Sequence, residues 1–300
     1  MAIPHHTGSC VSGDVSIFYR KMGLAKGDAS LFPQRKREAS PFLFVHGLSY
    51  FSWDWLEVAA ALASDRECVA IDLRWFGDSG WSATKDYSVP AMARDLANVL
   101  DHLGWSRAVL VAHSMGGRGA AYLAAKEPRR VAALALVDYS PENAPAGSKR
   151  VADTVAGVPA LFPTVEEAMR HFKADPADAA KRERFEAYLR KVTGGYVIKR
   201  DPHFRDQFRK ILEIGERPKL GVDMWQVLAE IACPTLVVRG SRSDLFAAET
   251  VAKVKAANPR FTLTEVDAPH NIPGENPRGF LAALAPFLAK LEEKHHEQAA

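Results

Sequence analysis

The chain has 300 residues, of which 47% are hydrophobic and 25% are charged, and its formal net charge is +3. A globular chain of this length buries a substantial core without disulfide or metal staples. Basic and acidic residues are mixed along the sequence, which disfavours a nucleic-acid partner.

Six short apolar runs that end in turn residues are predicted to form the strands of a parallel sheet. They are apolar on both faces, as burial between two layers of helices requires. They cover residues 41–47, 67–73, 107–114, 131–138, 233–240 and 261–267. Ahead of them, residues 11–33 are predicted to form an antiparallel hairpin with VSIFYRKMG as one strand.

Helical patterns alternate with these strands. The clearest covers 91–103, where Ser88 can cap the start and Gly104 can end the helix. Two more cover 115–126 and 277–292, and the tail EEKHHEQAA is expected to be frayed. Alternating strands and helices predict an α/β fold with a doubly wound, mostly parallel sheet.

One stretch, residues 141–230, breaks the alternation. It is rich in Ala, Arg, Lys and Glu and has no good strand pattern, so we predict a helical insertion over one edge of the sheet. Residues 1–140 and 231–300 are then the core domain. The RKRE segment at 35–38 is predicted to be a solvated loop.

The cysteines and the apolar runs bear on cofactors and location. Cys10, Cys68 and Cys233 form no CxxC pair, which disfavours zinc and a redox dithiol. Their odd number, without an evident export signal, favours a reducing compartment. No uncharged apolar run approaches the length of a membrane span. We therefore expect a cytoplasmic monomer or homodimer with no metal, no cofactor and no membrane partner.

Ser114 is the predicted nucleophile. It lies in AHSMGG, directly between a predicted strand and a predicted helix. This context is typical of a nucleophile elbow, in which small residues two positions before and after the nucleophile let the backbones pass. Ala112 and Gly116 fill those positions here. At the start of the helix, the backbone N–H of Met115 can donate to a developing oxyanion.

With these motifs in chain order, the sequence resembles the α/β-hydrolase superfamily over nearly its whole length. The matching segments are His46-Gly47-Leu48, Asp72-Leu73-Arg74, Gly77-Asp78-Ser79, AHSMGG, and APHN at 268–271. The resemblance implies an α/β-hydrolase fold with a helical cap over 141–230, inserted after the sixth strand. It also implies that the backbone N–H of Leu48 is the second oxyanion donor and that His46 orders this loop.

Trp75 departs from the superfamily pattern, which usually has glycine at this place in the Asp72 loop. With Phe76 beside it, Trp75 is expected to narrow the pocket or to pack against the cap. Packing in the core is the alternative.

His270 is the predicted general base among the 10 histidines of the chain. A serine hydroxyl is a weak nucleophile until a base takes its proton, and histidine suits this role near neutral pH. His270 follows the last predicted strand in a loop punctuated by Pro and Gly, where the base lies in this fold. His113, next to the nucleophile, is expected to pack structurally.

Two aspartates are candidates for the acid. Asp244 follows the strand that carries the acid in most of the superfamily, but the common G-x-x-D spacing would place it at Ser243. Asp138 ends the preceding strand, in VDYSP. At HSMGGR, at VDYSP and at VRG-x-x-S the chain resembles the subgroup of N-formylmaleamate deformylase and (acetamidomethylene)succinate hydrolase, whose acid comes from that strand. We therefore rank Asp138 ahead of Asp244.

Three residues are predicted to contact the substrate. Arg118 lies four residues after Ser114, where it either binds an acidic group or forms an ion pair beneath the site. Trp53 and Tyr139 are expected to line the pocket entrance, and Trp55 lies near the same loop. Aromatic residues at such a loop can equally belong to the core of the lid.

The assembled residues predict a serine hydrolase that acts on a small-molecule ester, lactone or amide through an acyl-enzyme. Two alternatives stay open. One is a cofactor-free dioxygenase, in which the same histidine deprotonates the substrate. The other is a receptor that binds a ligand with the same fold, because fold alone does not decide function.

Overall fold

A computed structural model describes residues 3–23, 39–64, 66–215 and 220–299, with side chains as far as residue 293. The described strands are β1 (His6–Ser12), β2 (Val15–Met22), β3 (Phe42–Val45), β4 (Cys68–Ile71), β5 (Ala108–His113), β6 (Val131–Val137), β7 (Leu189–Val192), β8 (Gly195–Ile198), β9 (Thr235–Gly240) and β10 (Thr262–Val266). The predicted RKRE loop lies outside the described residues.

Eleven α-helices are described in the same ranges. They are α1 (Leu56–Leu62), α2 (Val89–His102), α3 (Gly116–Lys126), α4 (Pro145–Ala156), α5 (Val165–His171), α6 (Ala179–Tyr188), α7 (Pro202–Ile214), α8 (Met224–Glu230), α9 (Ala248–Ala257), α10 (Ile272–Glu275) and α11 (Pro277–Ala299). Among the described residues, none of the helices combines the length and the apolar character that crossing a membrane requires.

Eight strands form one sheet in the order β1-β2-β4-β3-β5-β6-β9-β10. Strand β2 is antiparallel to β1 and to β4. All pairs from β4 across to β10 are parallel. The predicted α/β fold with a mostly parallel sheet is confirmed, and the carboxyl ends of the parallel strands share one edge, where ligands bind in open α/β sheets.

Alternating side chains of the strands serve two separate cores. In β5, Leu110 and Ala112 face one layer of helices, which includes α2, α3, α8 and α9. Val109 and Val111 face the other layer, built mainly from α1 and α11. This alternation explains why the strands are apolar at every position, since both faces of the sheet are covered.

The N-terminal hairpin differs from the prediction in the segments that form it. Strands β1 and β2 are joined through Gly13 and Asp14, so the hairpin partner of VSIFYRKMG is β1, which precedes it in the chain. Gly13 has a φ of 61°, a left-handed conformation that glycine adopts at little cost in a two-residue hairpin turn. The predicted residues 24–33 lie outside the described residues.

The expected fraying of the tail is wrong, because α11 continues to Ala299. The tail EEKHHEQAA consists largely of residues that favour helix and contains no glycine or proline to stop it.

The segment between β6 and β9, residues 141–230, is here called the inserted segment. It contains α4 to α8 and also the antiparallel hairpin β7–β8, so the prediction that it holds no strand is wrong. Strand β7 has the sequence LRKV and is exposed at its last three positions, which hid it from a search for apolar runs. The segment has a small core of its own, which includes Phe162, Met169 and Phe185.

Candidate active site

Ser114 lies at the sharp turn between β5 and α3. Its φ of 48° is left-handed, which costs energy for a residue other than glycine and persists only where the surroundings hold it. The backbones around the turn approach closely: a Cβ added to Gly116 would lie 2.4 Å from the backbone oxygen of His46. Glycine is therefore required at position 116, as the elbow pattern predicts.

The structure brings Ser114, His270 and Asp138 into one hydrogen-bonded series. His270 Nε2 lies 2.9 Å from Ser114 Oγ, and His270 Nδ1 lies 2.6 Å from Asp138 Oδ2. The Asp138 side chain is fully buried, while 13% of the His270 side chain is exposed. A buried carboxylate thus orients an imidazole that reaches a serine hydroxyl at the carboxyl edge of the sheet.

Asp138 is held from both sides. Its Oδ1 accepts a 2.7 Å hydrogen bond from the backbone N–H of Gly240, and its Oδ2 accepts a 2.5 Å hydrogen bond from Ser243 Oγ. Its backbone also has a left-handed φ, of 45°. Ser243, which stands where the commoner spacing has the acid, therefore holds the Asp138 carboxylate, which comes from the neighbouring strand.

Asp244, the second choice for the acid, is engaged elsewhere. It forms a two-point ion pair with Arg150 of α4, with Nε–Oδ2 and Nη2–Oδ1 distances of 2.5 and 2.8 Å. The hydrogen bond from Arg150 lowers the pKa of Asp244. Among the hydrogen bonds of the described residues, none joins Asp244 to His270, because its side chain faces the inserted segment.

Two further histidines form hydrogen bonds with backbone atoms of the loops around the site. His113 Nε2 donates to the backbone oxygen of His270 at 2.9 Å, and burial lowers the pKa of His113 well below its usual value. His46 Nε2 accepts from the backbone N–H of Leu73 at 2.8 Å, and its Nδ1 donates to the backbone oxygen of Gly47 at 2.7 Å. Burial also lowers the pKa of His46, so both rings are neutral scaffolding near pH 7.

The loop after His46 turns directly above the elbow. The backbone N–H of Tyr50 donates to the oxygen of Gly47 at 3.2 Å, which makes Leu48 and Ser49 the central residues of a tight turn. A Cβ added to Gly47 would lie 2.9 Å from Ser114 Cβ. In the described part of the chain, the backbone N–H groups of Leu48 and Met115 have no acceptor within the protein. Both predicted oxyanion donors are thus unpaired at the two turns that flank Ser114.

A pocket of about 1320 Å³ opens above Ser114 and His270. One wall belongs to the sheet and its loops and includes Leu48, Tyr50, Trp75, Arg118 and Tyr139. The opposite wall belongs to the inserted segment and includes Arg150, Arg184, Tyr188, Phe204 and Phe208. Within the described ranges, no group of three His, Cys, Asp or Glu side chains is arranged to hold a metal ion.

Two of the three predicted substrate-contacting residues line this pocket. Arg118 is half-buried in its wall. Tyr139 is almost fully buried, burial raises the pKa of its phenol, and its hydroxyl has no hydrogen-bond partner within the described residues. An unpaired buried hydroxyl costs stability, so a polar ligand atom at this wall would be stabilised by pairing with it.

Trp53 does not line the pocket in the described structure. Its ring packs edge-on against His5, with centroids 5.9 Å apart, and the Arg20 guanidinium lies 5.4 Å above it. Trp53 belongs to the short 3-10 helix Ser52–Trp55. Trp55 is 1% exposed and packs against Phe44 in the core. The sequence placed both near the right loop but not on the right face.

Trp75 both lines the pocket and contacts the inserted segment. Its ring lies 5.1 Å from that of Phe204 on α7 and 4.0 Å from that of Tyr87. Its φ of 73° explains why glycine is usual at this place. The contribution of the inserted segment itself was missed: Arg184 of α6, for example, pairs with Asp54 at 2.5 Å, and no short motif marks it.

Comparisons with known proteins show the family of this chain. A family model for the alpha/beta hydrolase fold matches residues 40–277. A 3-hydroxybutyrate-oligomer hydrolase from Cupriavidus necator is 31% identical over 245 residues, which are 76% of this chain and 82% of that protein. A 2-(acetamidomethylene)succinate hydrolase from Mesorhizobium japonicum is 26% identical over 267 residues, which are 87% of this chain and 92% of that protein.

Solved structures give the same answer for the fold. The crystal structure of an E-2-(acetamidomethylene)succinate hydrolase matches with a TM-score of 0.79 at 23% identity, over 95% of this chain and 100% of that one. An N-formylmaleamic acid deformylase from Pseudomonas putida S16 matches with a TM-score of 0.65 at 20% identity, over 93% of this chain and 100% of that one. The chain belongs to the α/β-hydrolase fold family and is a hydrolase.

Proposed function

We propose that the protein is a serine hydrolase that cleaves a small-molecule carboxylic ester, lactone or amide through an acyl-enzyme. The observation that carries this proposal is the series from Asp138 through His270 to Ser114, with contacts of 2.6 and 2.9 Å. A carboxylate, an imidazole and a hydroxyl at these distances are the parts that acyl transfer needs.

In the acylation step, His270 Nε2 takes the proton of Ser114 while Ser114 Oγ attacks the substrate carbonyl. The carbonyl oxygen becomes an oxyanion, and the N–H groups of Leu48 and Met115 donate to it. Asp138 orients the ring and stabilises its protonated form. His270 then gives the proton to the leaving alcohol or amine, the bond from carbonyl carbon to leaving group breaks, and the acyl group remains on Ser114.

In the deacylation step, His270 takes a proton from a water molecule that attacks the acyl carbon. The same two N–H groups hold the second oxyanion. The bond to Ser114 Oγ breaks, the serine recovers its proton from His270, and the carboxylic acid product leaves. Each step uses the same three side chains, because the base of one half becomes the acid of the other.

We propose further that the inserted segment is a cap that selects the substrate. Its support is that Arg184, Tyr188 and Phe204 form the pocket wall opposite Ser114. On the other wall, Arg118 and Tyr139 are the proposed substrate contacts, since both line the pocket beside the nucleophile. The volume of about 1320 Å³ exceeds the range of about 300–1,000 Å³ that is common for small-molecule sites, so the pocket has room beyond the reacting acyl group.

The bond that is cut stays open between ester, lactone and amide. The relatives named above are, by their names, hydrolases of 3-hydroxybutyrate oligomers and of 2-(acetamidomethylene)succinate. The test is therefore a panel of esters, lactones and amides, assayed with the wild type, with Ser114→Ala and with a surface control, Ser16→Ala on β2. We expect wild-type turnover of at least one class, an unchanged control, and a loss of about 10⁴-fold or more in Ser114→Ala.

Two outcomes would reject the proposal in favour of the alternatives. Turnover that survives in Ser114→Ala and consumes oxygen would identify the dioxygenase. Absence of turnover across the panel, together with tight binding of a panel member to both variants, would identify the receptor.

A further inference from the structure

Arg200 is a buried positive charge without a carboxylate partner. It follows β8 in the inserted segment, it is 6% exposed, and none of the ion pairs among the described residues includes it. Its Nη1 donates to Ser49 Oγ at 2.9 Å. Burial lowers the pKa of Arg200, yet a guanidinium keeps its proton in proteins, so the charge remains. A buried charge is usually paired, since removing a charge from water is costly.

Other arginines of the inserted segment show the contrast. Arg150 is paired with Asp244 and Arg184 with Asp54, each through two nitrogen–oxygen contacts. Both line the pocket, whereas Arg200 does not line it. Arg200 contacts the site through its hydrogen bond to Ser49 and lies beside Tyr188 and over the ring of Phe204, two residues of the pocket wall. Arg200 therefore differs from Arg150 and Arg184 of the inserted segment, because it has no counter-charge.

The backbone around Arg200 is fixed to the core. The N–H of Gly77 donates to the oxygen of Lys199 at 2.7 Å, and the N–H of Asp201 donates to the oxygen of Trp75 at 3.0 Å. Arg200 itself forms a β-bridge with Phe76. A side chain that starts from a backbone held on both sides can position another group with little loss of entropy.

Ser49 is a residue that needs such positioning. It is the third residue of the turn from Gly47 to Tyr50, and its φ is 64°. A positive φ at this place is the mark of a type II turn, where glycine or asparagine is preferred. The second residue of the same turn is Leu48, whose N–H has no acceptor among the described residues and is the proposed oxyanion donor.

We propose that Arg200 is a positioning residue for the oxyanion loop, which it holds through Ser49 Oγ so that the Leu48 N–H faces the tetrahedral intermediate. This inference rests on the proposed function. The unpaired charge has a second consequence. Negative charge that develops on the oxyanion is attracted to the guanidinium, so the transition state gains more from Arg200 than the neutral substrate does.

The experiment compares Arg200→Met, Arg200→Lys and Ser49→Gly with the wild type, using an ester that the wild type hydrolyses. Lys199→Met is the matched control, because Lys199 is the adjacent residue and pairs with Asp78 away from the loop. Two quantities are measured: kcat and KM, and the inhibition constant of a boronic acid that forms a tetrahedral adduct on the nucleophile.

We expect Arg200→Met to lower kcat by about 10- to 100-fold, less than the loss of a direct oxyanion donor. KM should stay within about 2-fold, and the affinity for the boronic acid should fall by the same factor as kcat, since both report the tetrahedral state. Arg200→Lys should recover part of the loss because it keeps the charge. Ser49→Gly should lose less than Arg200→Met, because it removes the hydrogen bond and keeps the charge, and the double variant should lose little more than Arg200→Met.

A folded Arg200→Met protein with the kcat and boronic acid affinity of the wild type would overturn the inference, as would a change in KM alone. If Arg200→Met does not fold, Ser49→Gly decides, because glycine suits the positive φ and leaves the arginine packing in place. Failure of the proposed function looks different: the wild type itself would then lack both turnover and an adduct on Ser114.

Discussion

The two walls of the pocket are built in different ways. The wall at the ends of the strands places its side chains through strained turns: Ser114 and Asp138 both have left-handed backbones, with φ of 48° and 45°. The wall from the inserted segment places Arg150 and Arg184 through ion pairs to the core and shows no such strain at these residues. The wall at the strand ends therefore suits the proposed chemistry, which needs fixed distances. The wall from the inserted segment suits the proposed selection of substrate, which needs a shaped and charged surface.

We expect the largest difference in kcat between substitutions of the two aspartates, Asp138 and Asp244. Asp138→Asn should lower kcat by about 10³- to 10⁴-fold, because the amide no longer holds the imidazole in its productive form. Asp244→Asn, which breaks the pair with Arg150, should keep kcat within about 3-fold. Steady-state kinetics of both variants on one ester measure the contrast. Equal losses, or a larger loss in Asp244→Asn, would refute the assignment of the acid.

A smaller effect is expected at Ser243, which donates to Asp138 Oδ2 at 2.5 Å. Ser243→Ala removes one hydrogen bond to a buried charge and should lower kcat by about 10-fold, while Ser243→Thr should retain most activity. The double variant Asp138→Ser with Ser243→Asp moves the acid to the commoner strand. It should be faster than Asp138→Ser alone, because position 243 lies beside the oxygen that His270 binds. No gain in the double variant would contradict this geometry.

On the opposite wall we expect substitutions to change KM and not kcat. Arg184→Met removes a charged group that lines the pocket, and it should raise KM by about 5- to 10-fold with kcat within about 3-fold, the pattern of lost ground-state binding. Arg182→Met, whose partner is Glu166 and which does not line the described pocket, is the matched control. A fall in kcat without a change in KM would show that the walls do not divide as proposed.

The smallest effect is on stability and comes from the neutral histidines under the nucleophile. Burial places the pKa of His113 well below its ordinary value of 6.5, so the unfolded chain takes up this proton first as the pH falls. The free energy of unfolding should therefore be full above about pH 6.5 and should fall below it by about 1.4 kcal/mol per pH unit for this group. His46, whose pKa burial also lowers, adds to the slope.

Urea unfolding between pH 5 and pH 8 measures this slope, and His113→Gln should make it shallower. Gln keeps a donor that can reach the backbone oxygen of His270, so the variant should fold. An unchanged slope in His113→Gln would mean that another group controls the acid limb.

The sequence predicts the wall at the strand ends better than the wall from the inserted segment, and the reason is physical. Ser114 and His270, the proposed nucleophile and base, are predictable because an elbow needs small residues at fixed spacing and the base is expected after the last strand. Asp138 is predictable as the proposed acid because Ser243 occupies the place of the commoner one. Steric requirements of this kind involve a few consecutive residues, so a single sequence shows them.

The inserted segment does not follow such rules. The hairpin β7–β8 is short and one of its strands is polar, so the sequence has no alternation of apolar residues that would predict it. The pairings of Arg184 with Asp54 and of Arg200 with Ser49 join residues that are 130 and 151 positions apart. Trp53 shows the same limit, because its ring packs against His5 and Arg20, which lie far from it in the sequence. Contacts set by tertiary packing are not readable from one sequence.

In the proposed mechanism Ser114 carries the acyl group. A rapid-quench reaction with an ester that the wild type hydrolyses, followed by mass analysis of the peptide that contains Ser114, tests this step. We expect this peptide to gain the mass of the acyl group before steady state, and we expect no adduct in Ser114→Ala. Steady turnover of the ester at the wild-type rate with no acyl mass on Ser114 at any time would contradict it.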